Sequence, residues 1–325
     1  MYVVTGGAGF IGSAFAWRLN REGIDDILIV DDLGESEKWS NLTPLRYTDY
    51  MHKHSFLEAL STNHFGDQID AIVHMGACSS TTENDMDYLI TNNVRYSQKL
   101  ATYAAEKKIR FIYASSAATY GLGAEGFSDD PAKIKSLYPI NRYGYSKQLF
   151  DLWALRTGIL DHAVGLKFFN VYGPNEYHKG DMRSVVLKAR NQIKEVGKVR
   201  LFKSNSPQFK DGEQMRDFVY VKDCVDVMWW LLQYRKVNGL YNLGSGKARS
   251  WKDLVTAVFK ALGKKPLIEF AEMPKELSSQ YQNFTEADMS RLSKAGCKVD
   301  FTSLEDGVSD YVLNYLEKAE PHLKQ

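Results

Sequence analysis

A glycine-spaced turn between the first strand-like run and the first helix-like run narrows the fold more than any other feature of the chain. Residues 2–5 are apolar and β-branched, and Thr5-Gly6-Gly7-Ala8-Gly9-Phe10-Ile11-Gly12 follows at once, with Gly6, Gly9 and Gly12 in a GxxGxxG set. Residues 12–21 then carry helical spacing. Glycines in such a turn let the backbone bend tightly, approach a pyrophosphate and bring the helix close to the sheet. The first amides of the helix are unpaired and carry partial positive charge. The next apolar run, 27–30, leads into Asp31, nineteen residues after Gly12, where a carboxylate reaches an adenosine ribose. Strand, turn, helix, strand and acid in this order predict a dinucleotide site.

The alternation continues beyond it. Residues 71–75, 109–114 and 164–169 are nearly unbroken apolar runs, as strands covered on both faces must be, while 85–107 has helical spacing. This pattern predicts βαβ units and an α/β fold, a Rossmann-type doubly wound parallel sheet. After Gly173-Pro174 short strands (199–202, 218–221, 240–243) mix with helices (250–262, 304–318), and 203–213 reads as a long surface loop. The expected organisation is a dinucleotide-binding domain over 1–169 plus about 216–238, interleaved with a smaller α/β substrate-binding domain over about 170–215 plus 239–325. Residues 218–235 are expected to return to the sheet.

Composition supports this and excludes other classes. With 325 residues and 44% apolar content the chain is long enough for two structural units and too apolar to be disordered. Its 41 basic and 40 acidic residues leave a net charge of +1, without the basic excess that nucleic acid requires. No run of 18 apolar residues suggests a membrane span, and the first residues lack the charged and apolar regions of a secretory signal. Cys78, Cys224 and Cys297 form no CxxC pair and His178 has no helical histidine partner, so neither a disulfide framework nor a metal site is expected. The expectation is a reducing, cytoplasmic location with no membrane or nucleic-acid partner.

A second group of residues points to chemistry. Ala114-Ser115-Ser116-Ala117-Ala118-Thr119-Tyr120-Gly121 follows the strand at 109–113, and Tyr143-Gly144-Tyr145-Ser146-Lys147 puts Tyr143 and Lys147 four apart, on one face of a helix. An ammonium beside a phenol favours phenolate, drawing its reference pKa of about 10 towards working pH. Such a tyrosine exchanges a proton with an alcohol while hydride leaves the same carbon for nicotinamide, and Ser116 steadies the oxygen. Asp31 favours NAD, whereas Lys38 and Lys53 offer charge for a 2′-phosphate. From the residues alone NAD and NADP both stay open.

The glycine turn, Ser116, the Tyr143–Lys147 pair, Arg216-Asp217-Phe218-Val219-Tyr220-Val221 and Asn242-Leu243-Gly244 resemble the extended short-chain dehydrogenase/reductase superfamily. Within it, Gly76-Ala77-Cys78-Ser79-Ser80-Thr81-Thr82-Glu83, Phe169-Asn170-Val171-Tyr172-Gly173-Pro174 and His178-Lys179-Gly180 resemble the sugar-nucleotide epimerases that invert C6 of an ADP-linked heptose for lipopolysaccharide core supply. The resemblance runs from the first residues to about Asp310. It implies oxidation of C6 to a ketone and hydride return to the other face, with Tyr143 and Lys179 serving opposite orientations of the oxygen. Lys147 would hold the nicotinamide ribose.

The same resemblance places Phe10, Ile11, Asp31, Asp32, Lys38, Lys53, Met75, Gly76, Ala77, Cys78, Ser79, Asn92 and Val171 at cofactor positions, beside Gly6, Gly9, Gly12, Lys147 and Lys179. It makes the cofactor NADP. Ser116, Asn170, Asp181, Lys188, Phe202, Arg216 and Tyr281 match substrate positions, the guanidinium of Arg216 suiting a diphosphate. Met75 stands where an acidic residue often precedes the GACSS segment. A homo-oligomer is implied, a pentamer in the well-known case. The alternatives are a UDP-hexose 4-epimerase or other nucleotide-sugar enzyme, and more remotely a dinucleotide sensor without catalysis. Ser116, Tyr143 and Lys147 together argue against the sensor.

Overall fold

The computed structural model describes residues 1–274, 278 and 281–324. Among them twelve strands occur: β1 (Tyr2–Thr5), β2 (Ile27–Asp31), β3 (Asp49–His52), β4 (Ala71–His74), β5 (Arg110–Ser116), β6 (Ala163–Phe168), β7 (Asn170–Tyr172), β8 (Val199–Phe202), β9 (Met215–Tyr220), β10 (Gly239–Leu243), β11 (Ala248–Ser250) and β12 (Ile268–Ala271). Seven of these form a sheet in the order β10-β6-β5-β4-β1-β2-β3, and every neighbouring pair is parallel. The strand order reverses between β1 and β4, which makes their carboxyl ends the crevice of a doubly wound sheet.

Period-two alternation explains why both faces are covered. Val4, Ile29, Val73 and Ile112 point to one side, where they meet Phe15 and Leu19 of helix Phe10–Arg21 and Val227 and Met228 of helix Val221–Gln233. Val3, Leu28, Ile72 and Phe111 point to the other, against Phe56, Leu100 and Phe150. Each such buried side chain contributes on the order of 1.5–3 kcal/mol.

The remaining strands build the second part. β7, β9 and β11 form a three-stranded sheet, with β7 parallel and β11 antiparallel to β9, and β8 pairs in parallel with β12. Two expectations need correction. β9 does not return to the central sheet; only the helix after it does, packing on helix Phe10–Arg21. Conversely β10, assigned with 239–325 to the substrate part, is the edge strand of the central sheet, with Leu240 opposite Gly165 and Leu243 opposite Phe168. No helix among the described residues is long and apolar enough to cross a membrane.

Candidate active site

The carboxyl ends of β1, β2 and β4 open onto a cavity of about 370 Å³, lined by Gly6, Asp31, Lys38, Lys53, Gly76 and Asn92 among others. Gly6 has φ +64°, and a Cβ there would stand 2.6 Å from the Cα of Gly76. A Cβ at Gly12 would run into the carbonyl oxygen of Gly6. Helix Phe10–Arg21 begins at Gly9, which supplies no side-chain acceptor, so its leading amides stay available to an anion. Close backbone approach, a bare helix start and an acid at the end of β2 fit a dinucleotide.

That acid is tightly held. Asp31 accepts the Ala8 amide at 2.9 Å and the Lys38 ammonium at 2.7 Å. Beside it Lys53 donates to Asn92 at 3.2 Å and pairs with Asp32 at 3.0 Å, and its hydrogen bond draws the Asp32 carboxyl below the usual range. Met75, Gly76 and Cys78 follow β4; the Met75 amide bonds the Thr5 carbonyl at 2.9 Å, and Ser79 is exposed.

A second cavity, about 240 Å³, is lined by Ser116, Tyr143, Asn170, Arg216 and Tyr281 together with Thr81, Asn141, Gln282 and Thr285. Ser116 ends β5; its hydroxyl oxygen accepts the Ala118 amide at 3.1 Å, and its proton is directed at Tyr143. Tyr143 lies in the first turn of helix Arg142–Arg156, capped by Asn141, whose side chain accepts the Gly144 amide at 2.7 Å. A Cβ on Gly144 would stand 2.7 Å from the Ala118 carbonyl oxygen, so only glycine lets the helix come this near the Ser116 turn.

The charges of this cavity are set mainly by burial. Arg216 is 6% exposed, donates to its neighbour's Met215 carbonyl at 2.9 Å, and lies between the rings of Trp251 and Tyr281, 5.6 and 5.0 Å from their centroids. Burial lowers its pKa, and its planar fork of donors suits an anion that would compensate the buried charge. Lys147 donates to the Ala114 carbonyl at 3.0 Å, and burial lowers it to about 8. Tyr143 is raised from its ordinary range, burial outweighing the Ser116 hydrogen bond that pulls it down. Burial is thus the larger influence on Tyr143, while the Lys147 ammonium donates to the Ala114 carbonyl.

Lys179 sits in the short helix Tyr177–Met182, its ammonium 5.3 Å from the Phe10 ring centroid. Burial lowers its pKa while the fully buried Glu176 opposes that shift. Thr81, on the wall of the second cavity, is 3.9 Å from the Met182 sulfur, which puts this turn against the cavity's mouth. The structure does not bring every candidate together. Lys188 donates to the Asp181 carbonyl at 2.5 Å, Phe202 is 38% exposed on β8, and Val171 packs on the core; none of the three side chains, nor Asp181, lines the second cavity.

Several residues matter that motif reading passed over. Asn93 lies in a π-helical turn, Ile90–Arg95, the sort of irregularity that marks functional sites. Its side chain accepts the Cys78 amide at 2.8 Å and donates to the Cys78 carbonyl at 2.9 Å and the Ser146 hydroxyl at 3.0 Å. It thereby ties the loop after β4 to the helix of Tyr143. Trp251 has no motif around it, whereas Asn141 was findable as a helix-capping residue before Tyr143. Asp217, beside Arg216, accepts amides from Ser245, Gly246 and Ala287 and so binds β9 to two loops.

Glycine cradle, acidic strand end and serine–tyrosine–lysine set together define an enzyme of the nucleotide-sugar short-chain dehydrogenase/reductase kind. Residues 2–244 match the model of the NAD dependent epimerase/dehydratase family, and the chain belongs to that family. It is an epimerase with a nicotinamide dinucleotide as cofactor. It is 60% identical to a Nitratidesulfovibrio vulgaris protein named ADP-L-glycero-D-manno-heptose-6-epimerase, over 99% of this chain and 100% of that one. A Fusobacterium nucleatum protein of the same name is 51% identical over 99% of this chain and 100% of its own. The crystal structure of the Helicobacter pylori ADP-L-glycero-D-manno-heptose-6-epimerase superposes with a TM-score of 0.80 at 28% identity, covering 96% of this chain and 95% of that one.

Proposed function

We propose that the chain inverts C6 of the heptose in ADP-D-glycero-β-D-manno-heptose to give ADP-L-glycero-β-D-manno-heptose, a precursor of the lipopolysaccharide core, with NADP as its cofactor. The observation that carries this reading is the single cavity joining Ser116, Tyr143 and Asn170 to the guanidinium of Arg216, which has no carboxylate partner among the described residues. One end suits a secondary alcohol and the other a diphosphate.

When bound, a nicotinamide dinucleotide supplies reversible hydride acceptance and return at C6. In its phenolate form Tyr143 takes the proton of the C6 hydroxyl, and Ser116 donates a hydrogen bond to the same oxygen, holding it as carbonyl character develops. Inversion requires the ketone to present its other face, which carries the oxygen away from Tyr143. Lys179, its ammonium 5.3 Å from the Phe10 ring centroid, then protonates the returning alkoxide. Arg216 anchors the diphosphate through both steps, so the sugar turns while the nucleotide stays. Lys38 and Lys53, at the Asp31–Asp32 corner, meet the 2′-phosphate of NADP.

The test is incubation of the purified enzyme with ADP-D-glycero-β-D-manno-heptose and separation of the two epimers. Equilibration of the epimers is the expected result, and Lys179→Met should abolish it. Turnover of a UDP-hexose without turnover of the heptose would overturn the substrate assignment. Undiminished epimerisation by Lys179→Met would overturn the two-base scheme.

A further inference from the structure

Behind the reactive cavity lies a charged cluster that the steps above leave unused. Asp151, one turn beyond Lys147 on helix Arg142–Arg156, and Lys167 on β6 are both fully buried and pair at 2.7 Å. The Asp151 carboxylate also accepts the Ser115 hydroxyl at 2.6 Å and the Tyr113 hydroxyl at 3.0 Å, both from β5. Lys167 donates in addition to the Thr119 hydroxyl at 2.6 Å, which in turn donates to the Ser116 carbonyl at 2.8 Å. An unbroken chain of hydrogen bonds therefore runs from the helix of Tyr143 and Lys147 through β6 to the turn holding Ser116.

Stability alone is a weak reason for such a cluster, since replacing a buried ion pair by apolar residues of similar volume is often neutral or favourable. Its arrangement suits another purpose. The hydrogen bond of Lys147 goes to a neutral carbonyl, that of Ala114, which stabilises an ammonium less than a carboxylate does. Asp151 is the principal group opposing the effect of burial on Lys147. The other groups facing Lys147 are Tyr143 one turn before it, His74 of β4, Cys78 in the loop after β4, and Lys167 behind Asp151. His74 is held neutral by burial throughout the working range.

We propose that Asp151 and Lys167 are positioning residues: Asp151 keeps Lys147 an ammonium where it meets the nicotinamide ribose, and Lys167, through Thr119, holds the Ser116 turn in register with Tyr143. The ribose contact and the roles of Ser116 and Tyr143 rest on the proposed function; the charge of Lys147 does not. Removing the carboxylate disfavours the ammonium, so Lys147 loses its proton at lower pH. Removing the like charge of Lys167 has the opposite effect.

Dissociation constants for NADP and NAD, measured by fluorescence titration from pH 6 to 10, test the charge effect without any sugar. Asp151→Asn should move the alkaline weakening of binding down by about one pH unit or more, with binding roughly tenfold weaker at pH 8 and nearly unchanged at pH 6. Asp151→Glu should restore the original profile, and Lys167→Met should move it upward. The kcat profile for epimerisation should shift in the same directions, with KM changing less than about threefold. A pH-independent loss in Asp151→Asn, or shifts of one sign in both variants, would reduce the cluster to packing and overturn the proposal. Should Asp151→Asn fail to fold, an unmoved profile in Lys167→Met decides against it. Failure of the heptose reading would silence the kcat assay and leave the binding curves standing.

Discussion

Arg216 stacks on Tyr281 with its guanidinium carbon 5.0 Å from the ring centroid, and Trp251 closes on it from 5.6 Å. The pairing holds a buried cation that has no carboxylate partner among the described residues, so its charge and the donors not taken by the Met215 carbonyl remain for the substrate. Arg216→Lys keeps the charge but loses the plane and the fork. KM for the nucleotide sugar should rise on the order of 10–100-fold, with circular dichroism unchanged, since the lost contacts are charge-assisted bonds of about 1.5–3 kcal/mol. An unaltered KM would show that the diphosphate binds elsewhere.

At the other end of the cleft, Lys38 and Lys53 each hold a carboxylate of the Asp31–Asp32 corner. Replacing both by alanine should weaken NADP binding by about 100-fold, roughly tenfold for each lost charged contact. NAD binding should change less than about threefold. Calorimetric titration with each dinucleotide compares the two, and equal losses would place the 2′-phosphate away from these lysines.

Tyr143→Phe removes one hydroxyl from the cavity and leaves the helix and its Asn141 cap in place. Turnover should fall by about 10²–10⁴, the usual worth of a positioned acid–base group. KM should stay within about threefold and the melting temperature should not move. A variant retaining a third of its activity would exclude Tyr143 as the proton carrier.

His74 is 3% exposed and bonded on both sides, by Thr5 at 2.6 Å and Ser97 at 2.7 Å, and burial lowers its pKa to about 3. Because Ser97 donates to the Asn93 carbonyl at 2.6 Å, the neutral ring gives its Nε2 proton to Ser97 and receives that of Thr5 at Nδ1. In the unfolded chain a histidine protonates near pH 6.5. The unfolded state therefore binds the extra proton first, so the stabilisation is complete above about pH 6.5 and is lost as pH falls towards 3. Urea unfolding at pH 7, 6 and 5 should show stability decreasing by up to about 1.4 kcal/mol per pH unit below 6.5 from this one group. His178, lowered to about 4 by burial, adds to the same trend. His74→Gln should flatten part of the slope, and an unchanged slope would assign the acid sensitivity elsewhere.

What the amino-acid order reveals follows from what each residue faces. β1, β2, β4, β5 and β6 are legible because both faces of each are covered, so their residues are apolar without interruption. β3 is not, since Asp49–His52 is a part-exposed edge strand with polar residues. The place of β10 is not legible either, because its partner β6 lies far back in the chain, and period and length say nothing of partners. The glycine turn and the Tyr143–Lys147 spacing stand out because backbone approach and helical geometry demand fixed intervals. Asn93 and Asp151 do not, because each acts on partners brought together only by folding.

The edge position of β10 also bears on how the chain is made. β6 is complete at residue 168, but the strand that pairs with its outer side ends at residue 243. At roughly 5–20 residues per second on the ribosome, the outer backbone groups of β6 wait about 4–15 s for their partner. Arg291 later bonds the Leu240 carbonyl at 2.6 Å and the Asp129 carbonyl at 2.5 Å, so the seam is clasped only when nearly the whole chain has emerged. During that interval an apolar, unpaired strand is open to any neighbouring nascent chain, which makes synthesis rather than the finished enzyme the stage most exposed to aggregation.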